Sequence, residues 1–358
     1  MTPELPPLFE DLPETRGEPT QEYNVKNYVR LIHHLGKLVE SSQGDVARFS
    51  DADREFRPHD VTYLKLLALM AYARTFVKYG KAATRFFYLD VLSASGLSNL
   101  EGSGDPIPGS SLCVPMSHLN FRKDPTTQGT KFDKVFCFDR SDDALAAIHW
   151  RRDALECKFG FPMSEYQMFP GEASEKLDEV LSEIEEIRSK ERGEGKAGPL
   201  TLAFVDNLGM NIPMATISML QQRVRGDLVI HIPSGAIWRN IEAHRKNQDQ
   251  RQVLTDFFGG DAWKEIESAD DVPSIYHREV ERVTGAALQD SLPVKIRGGK
   301  HTFHLAIYAR HTRGTKGREG WVATIRPLLE ACNHVDYSSF PTIKSMAVGE
   351  QRQTRLEL

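Results

Sequence analysis

Hydrophobic positions change period along this chain, and the changes divide it. Between residues 24 and 42 apolar side chains recur at helical spacing (Val25, Tyr28, Leu31, Ile32, Leu35, Leu38), which predicts an amphipathic helix. Residues 62–79 predict a second, more apolar helix. Short apolar runs then alternate with helical stretches. Strands are expected at 86–92, 134–139, 165–169, 201–206 and 227–233. The intervening helices are expected at 110–119, from Ser141 onward, at 173–192 as an exposed acidic helix, and at 213–224. Ser141 reads as a cap, with Asp142 and Asp143 in the first turn where the helix dipole favours anions. Continuous apolar strands alternating with helices predict a parallel sheet covered on both faces. Ligands of such sheets sit beyond the carboxyl ends of the strands.

The pattern changes after residue 235. Residues 237–263 and 273–284 read as mostly helical, a helical insertion or lid spanning 236–290. The runs "LPVKI" and "TFHLAIYARH" flank "RGGK", which predicts an antiparallel hairpin turning at Gly298 and Gly299. A helix at 319–331 follows. The chain thus divides into an N-terminal extension (1–59), a core (60–235), the insertion, a C-terminal hairpin and helix completing the core (291–340), and a tail (341–358). No internal repeat is present.

Composition narrows the class. Of 358 residues 40% are hydrophobic and 27% charged, the values of a globular protein with a sizeable core. The acidic, Pro-rich start is neither a signal nor a transit peptide, and no apolar run has the ~20 residues of a membrane span. A cytoplasmic protein with no membrane partner is therefore expected. Four widely spaced cysteines and scattered histidines give no metal-ligand spacing, so no metal is expected. The net charge of −5 carries no global sign of nucleic-acid binding. Its distribution is uneven: residues 295–326 hold eight Lys or Arg against one Glu, a tract that suits phosphates or a solvated face.

Three predicted strands end in aspartate: Asp90, Asp139 and Asp206. Asp139, at the end of the second strand, suits acceptance of ribose hydroxyls. It serves equally to cap its own helix. The first strand runs into Ser93, Ala94, Ser95 and Gly96, small residues that let a cofactor approach the backbone. Glu172 follows the third strand, where an acid can bind the amino group of an adenine or merely decorate a helix start. Asp206 and Asn207, in "VDNLGMN", can hold a target amino group and orient its lone pair, or form a simple turn. A nicotinamide enzyme is disfavoured, because no GxGxxG pattern follows the first strand.

In their order these segments resemble the three-Cys-motif partner (TcmP) family. "YLDVLSASG", "PGSSL", "FCFDRSDDALAAI", "FVDNLGMNIPMATISML", "LTDFFGGDAW" and "LAIYARHTRG" carry the resemblance, over roughly residues 60–336. It implies a prokaryotic or phage protein with a Rossmann-like class I methyltransferase fold: a mostly parallel α/β sheet with an antiparallel hairpin at its C-terminal side, here with an N-terminal helical extension. It further implies S-adenosylmethionine as cofactor, lined by Asp90, Ala94, Gly96, Asp139 and Glu172. Asp206 and Asn207 would be catalytic, and Arg239, Asn240, Arg310 and Arg313 would guide RNA or DNA. A three-Cys-motif protein encoded nearby is the implied partner. Ala94 stands where the family has a glycine, and Ser95 and Asn207 where it has prolines. The function expected is methyl transfer to nucleic acid, with a base amino group as one acceptor. The alternative is a catalytically degenerate fold that binds a protein or nucleic acid.

Overall fold

The computed structural model describes residues 21–42, 61–99, 105–118, 130–207, 210–246, 251–284, 303–308 and 326–327. The first twenty residues, the linker at 43–60, the strand at 292–296 and most of the helix at 319–331 lie outside them. So do Arg310, Arg313 and the tail.

Helix α1 (Gln21–Ser42) and helix α2 (Val61–Tyr79) precede the sheet. Strand β1 (Phe86–Val91) leads through the short antiparallel pair β2 (Leu97–Asn99) and β3 (Pro106–Pro108) to α3 (Ser110–Met116). Then follow β4 (Lys134–Asp139), α4 (Asp142–Phe159), β5 (Glu165–Pro170), α5 (Ala173–Gly193), β6 (Leu200–Asp206), α6 (Met214–Arg223) and β7 (Gly226–Ile232). Helices α7 (Ser234–Arg245), α8 (Arg251–Phe258) and α9 (Asp271–Thr284), with a 3₁₀ turn at Asp261–Glu265, lead to β8 (His304–Tyr308).

Six strands form one sheet in the order β5-β4-β1-β6-β7-β8. All neighbours are parallel except β7 and β8. This is the Rossmann-like α/β architecture with an antiparallel pair at one edge. The order reverses at β1, so the crevice beyond the ends of β1, β4 and β6 is the switch point where such sheets bind ligands.

Two apolar layers flank the sheet. Alternation along the strands sends Tyr88, Cys137, Leu202 and Val229 to one layer, with α1, α2, α3 and α4. Phe87, Leu89, Phe136, Ala203 and Ile230 face the other, with α5 to α9. Helix α2 is buried on nearly every side from Tyr63 to Ala73, as a helix apolar all round must be. It lies between the sheet and α1, whose Val29, Ile32 and Leu35 join the same core.

Helix α5 differs from the exposed helix expected. Leu177, Val180, Leu181 and Ile184 recur at i, i+3, i+4 and i+7 and are all buried. The abundance of acids on its outer face hides that stripe in the sequence. Each buried leucine-sized side chain stabilises by about 1.5–3 kcal/mol relative to exposure, enough to anchor the helix despite its charge. Helix α4 is as expected: Ser141 Oγ accepts from Ala144 N at 3.1 Å, and Gly160 closes the other end at φ 68°.

Candidate functional site

The loop after β1 is built from backbone bends that the sequence makes expensive. Leu92 and Ala94 have φ of 77° and 51°, the left-handed region that side chains disfavour. Hydroxyls hold it there. Ser93 Oγ donates to Asp90 O at 2.7 Å and accepts from Phe138 N at 3.2 Å. Leu92 N and Ser93 N both donate to Phe138 O. Ser95 Oγ donates to Leu97 O at 2.9 Å, and the buried Arg151 guanidinium donates to Ser95 O. Gly96 (φ 80°) is pressed against Gly109, where a Cβ would come within 2.7 Å of Gly96 Cα. Gly96 therefore serves loop packing, with Leu112 and Ile148 close over it.

Asp139 ties this loop to the neighbouring strand. Its Oδ2 accepts from Ala94 N at 3.0 Å and its Oδ1 from Ser141 N at 2.9 Å. The carboxylate is half-buried and Ala94 is exposed. Beyond it, Gly171 has φ 106°, and a Cβ there would meet nothing within 4 Å. Glu172, next along, makes a two-point ion pair with Arg140 at 2.5 and 3.0 Å. Ala94, Asp139, Gly171 and Glu172 thus line a solvent-reachable rim across the ends of β1, β4 and β5.

Asp90 and Asp206 lie deeper. Asp90 is fully buried in the layer with α2 and α3, and its Oδ2 accepts from Ser110 Oγ at 2.7 Å. Its Oδ1 has no hydrogen-bond partner. Burial pushes this carboxyl up to about 7; Asp206 and Asp139 add to the rise, and Ser110 and Lys65 oppose it. Asp206 receives a 2.6 Å hydrogen bond from Lys65 Nζ on α2. His231 Nδ1 of β7 lies 2.8 Å from Asp206 Oδ1, without the alignment of a hydrogen bond. Burial opposes ionisation of Asp206, but the Lys65 ammonium and the His231 imidazole together hold its carboxyl well below the usual range. Burial lowers the His231 imidazole, against the pull of Asp206 and of the Asn207 backbone. Asn207 is fully buried with both carboxamide atoms unpartnered.

The four strand-end acids therefore share one end of the sheet but divide into two groups. Of the residues singled out for nucleic acid, Arg239 is exposed on α7 and Asn240 half-buried beside it. Trp263 is buried and donates to Thr255 Oγ1 at 3.3 Å. Lys65 and His231 were absent from the sequence-derived site. Their signals were a single lysine inside the apolar run "YLKLLALMAYA" and a histidine inside the strand "DLVIHIP". Among the described residues no cluster of metal-binding side chains occurs, and no helix is long and apolar enough to cross a membrane.

No family model and no curated protein matches the chain. Among solved structures, a Legionella pneumophila protein of family DUF519 is 12% identical, with 75% of this chain and 90% of that one covered and a TM-score of 0.39. A small RNA methyltransferase is 10% identical over 70% of this chain and 26% of its own, at TM-score 0.37. A geranyl diphosphate methyltransferase solved with S-adenosylmethionine is 12% identical over 75% and 95%, at 0.27. Likeness at this level adds nothing to what the strand order already establishes, a Rossmann-like α/β sheet with an antiparallel pair at one edge.

Proposed function

We propose that this protein is an S-adenosylmethionine-dependent methyltransferase acting on nucleic acid, related to the three-Cys-motif partner proteins. The observation that carries the reading is the rim at Ala94, Asp139, Gly171 and Glu172. It supplies what an adenosyl group requires: a half-buried carboxylate with lone pairs left for ribose hydroxyls, open space over Gly171 for a flat base, and an acid at the base's edge. Asp90, with one unpartnered oxygen, would face the cationic end of the cofactor. When bound, the cofactor supplies an activated methyl group on sulfonium sulfur. The chain's own contribution is alignment, which supplies much of the rate in such transfers. The basic tract at 295–326, which includes Arg310 and Arg313 in sequence, and the exposed Arg239 beside Asn240 support an anionic polymer as acceptor. A neighbouring three-Cys-motif protein is the proposed partner.

Calorimetry with S-adenosylmethionine tests the reading. Binding heat is expected, and Asp139→Ala should weaken affinity about 10- to 100-fold, the worth of hydrogen bonds to a charged group. A folded protein that gives no heat would contradict it.

A second reading is favoured by the engagement of Asp206 with Lys65 and His231. With that acid occupied, the fold would bind a partner without transferring a methyl group. Methyl incorporation into RNA or DNA would exclude this.

A further inference from the structure

Lys65, Asp206 and His231 come from three separate elements: α2, β6 and β7. They meet at the carboxyl end of the sheet, in the layer that also holds Asp90. Building on the methyltransferase reading, we propose that this cluster is the acceptor subsite and that it takes a sugar hydroxyl, the 2′-hydroxyl of a ribonucleotide, rather than a base amino group.

An amino group is a donor that seeks an open acceptor. Here the acceptor carboxylate already stands between a cation and an imidazole: one Asp206 oxygen accepts from Lys65 at 2.6 Å and the other faces His231 at 2.8 Å, so the group missing from the cluster is one that can accept from Lys65 as well as donate. A hydroxyl is both donor and acceptor. Its oxygen can accept from the Lys65 ammonium, which has further N–H groups beyond the one given to Asp206. Its proton can pass to the imidazole, whose Nδ1 lies 2.8 Å from the Asp206 carboxylate that balances the charge it gains. The 2.8 Å contact needs only a small turn of the ring to become a hydrogen bond, and catalytic contacts commonly tighten when substrate binds. The three side chains keep only 9%, 14% and 11% of their surface in solvent, in the order Lys65, Asp206, His231. Such an opening suits one hydroxyl at the edge of a chain. A base amino group needs less help of this kind. It attacks through a lone pair it already has, and its proton becomes acidic only afterwards, whereas a hydroxyl must lose its proton as it attacks.

A lone pair of the hydroxyl oxygen forms a bond to the methyl carbon, and the carbon–sulfur bond breaks with its electrons left on sulfur. The hydroxyl proton goes to Nε2 of His231 and then to water. The products are a methyl ether, a thioether and, transiently, an imidazolium paired with Asp206. Lys65 stabilises the negative charge developing on the hydroxyl oxygen.

The full chain incubated with S-adenosylmethionine carrying a tritiated methyl group, against total RNA and total DNA, tests this after digestion to nucleosides. Label is expected in 2′-O-methylnucleosides and absent from DNA. His231→Gln should reduce it about a hundredfold with cofactor heat retained. Label on a base overturns the proposal while leaving the methyltransferase reading intact; absence of both cofactor heat and label overturns that reading itself. The acceptor site is then decided by binding alone. A short mixed-sequence oligoribonucleotide should bind about tenfold more tightly than its 2′-deoxy counterpart, the worth of one hydrogen bond. Lys65→Met, or His231→Gln if the former fails to fold, should abolish the difference. Equal affinities for the two oligonucleotides in the unaltered protein would overturn the proposal.

Discussion

Two pairs of acids stand at the same end of one sheet and behave in opposite ways. Asp139 and Glu172, at the β4 and β5 side, keep contact with water and are held by backbone N–H groups or a surface arginine. Asp90 and Asp206, at β1 and β6, lie deeper: Asp90 is fully buried and bonded to Ser110 of α3, and Asp206 keeps 14% of its side chain in solvent and is bonded to Lys65 of α2. An acid at this end of the sheet thus becomes either a solvated acceptor or an enclosed carboxyl. What decides is the helix lying over it. The outer pair can exchange its partners for those of a ligand at small cost, whereas Asp206 depends on Lys65 to keep its charge enclosed.

Substitutions can break this contrast, and the largest effect belongs to the inner pair. Lys65→Met leaves the Asp206 carboxylate without its main counter-charge, and urea denaturation should show a loss of about 3–5 kcal/mol. Adding Asp206→Asn to that variant should recover most of the loss, since it removes the orphaned charge.

Asp90 responds to pH. Its folded carboxyl keeps the proton to about pH 7, whereas the unfolded group releases it near 3.8. The folded state binds the extra proton between these values, so stability falls as pH rises through that window. Asp90→Asn removes the slope while keeping an acceptor for Ser110. Denaturation at pH 8 should find the variant more stable by at most about 4 kcal/mol, from three pKa units at 1.36 kcal/mol each. The gap should close toward pH 4.

The outer rim gives smaller numbers. Ala94→Gly relieves a left-handed alanine worth about 1–2 kcal/mol, and greater freedom of the unfolded chain returns part of it. A net gain of about 0.5–1 kcal/mol is expected in the same denaturation assay. Glu172→Ala breaks an exposed ion pair and should change stability by less than about 1 kcal/mol.

The sheet was legible because its strands are short apolar runs with abrupt polar ends. Each of the five parallel strands falls where the sequence predicts, within a residue or two. The acids at the ends of β1, β4 and β6 were legible for the same reason: a charge that stops an apolar run stands out. Lys65 was not, because it lies 141 positions from Asp206 and in a stretch, residues 63–73, whose other residues announce only burial. Local pattern shows that a lysine is enclosed by apolar neighbours but not which distant carboxylate meets it. The stripe on α5 was obscured differently, by acids between its buried positions that dominate any average over the helix. The β2–β3 pair was unseen because two of its six residues are prolines, which argue against strand.

The bond between α2 and β6 has a consequence for how the molecule matures. Lysine emerges from synthesis early and its carboxylate late, with β1, β4 and β5 between them. Closing so long a loop is rewarded only once the intervening strands have docked. The pair thus fastens an early helix to a late strand across 141 positions, a contact that exists only when the central strands stand side by side.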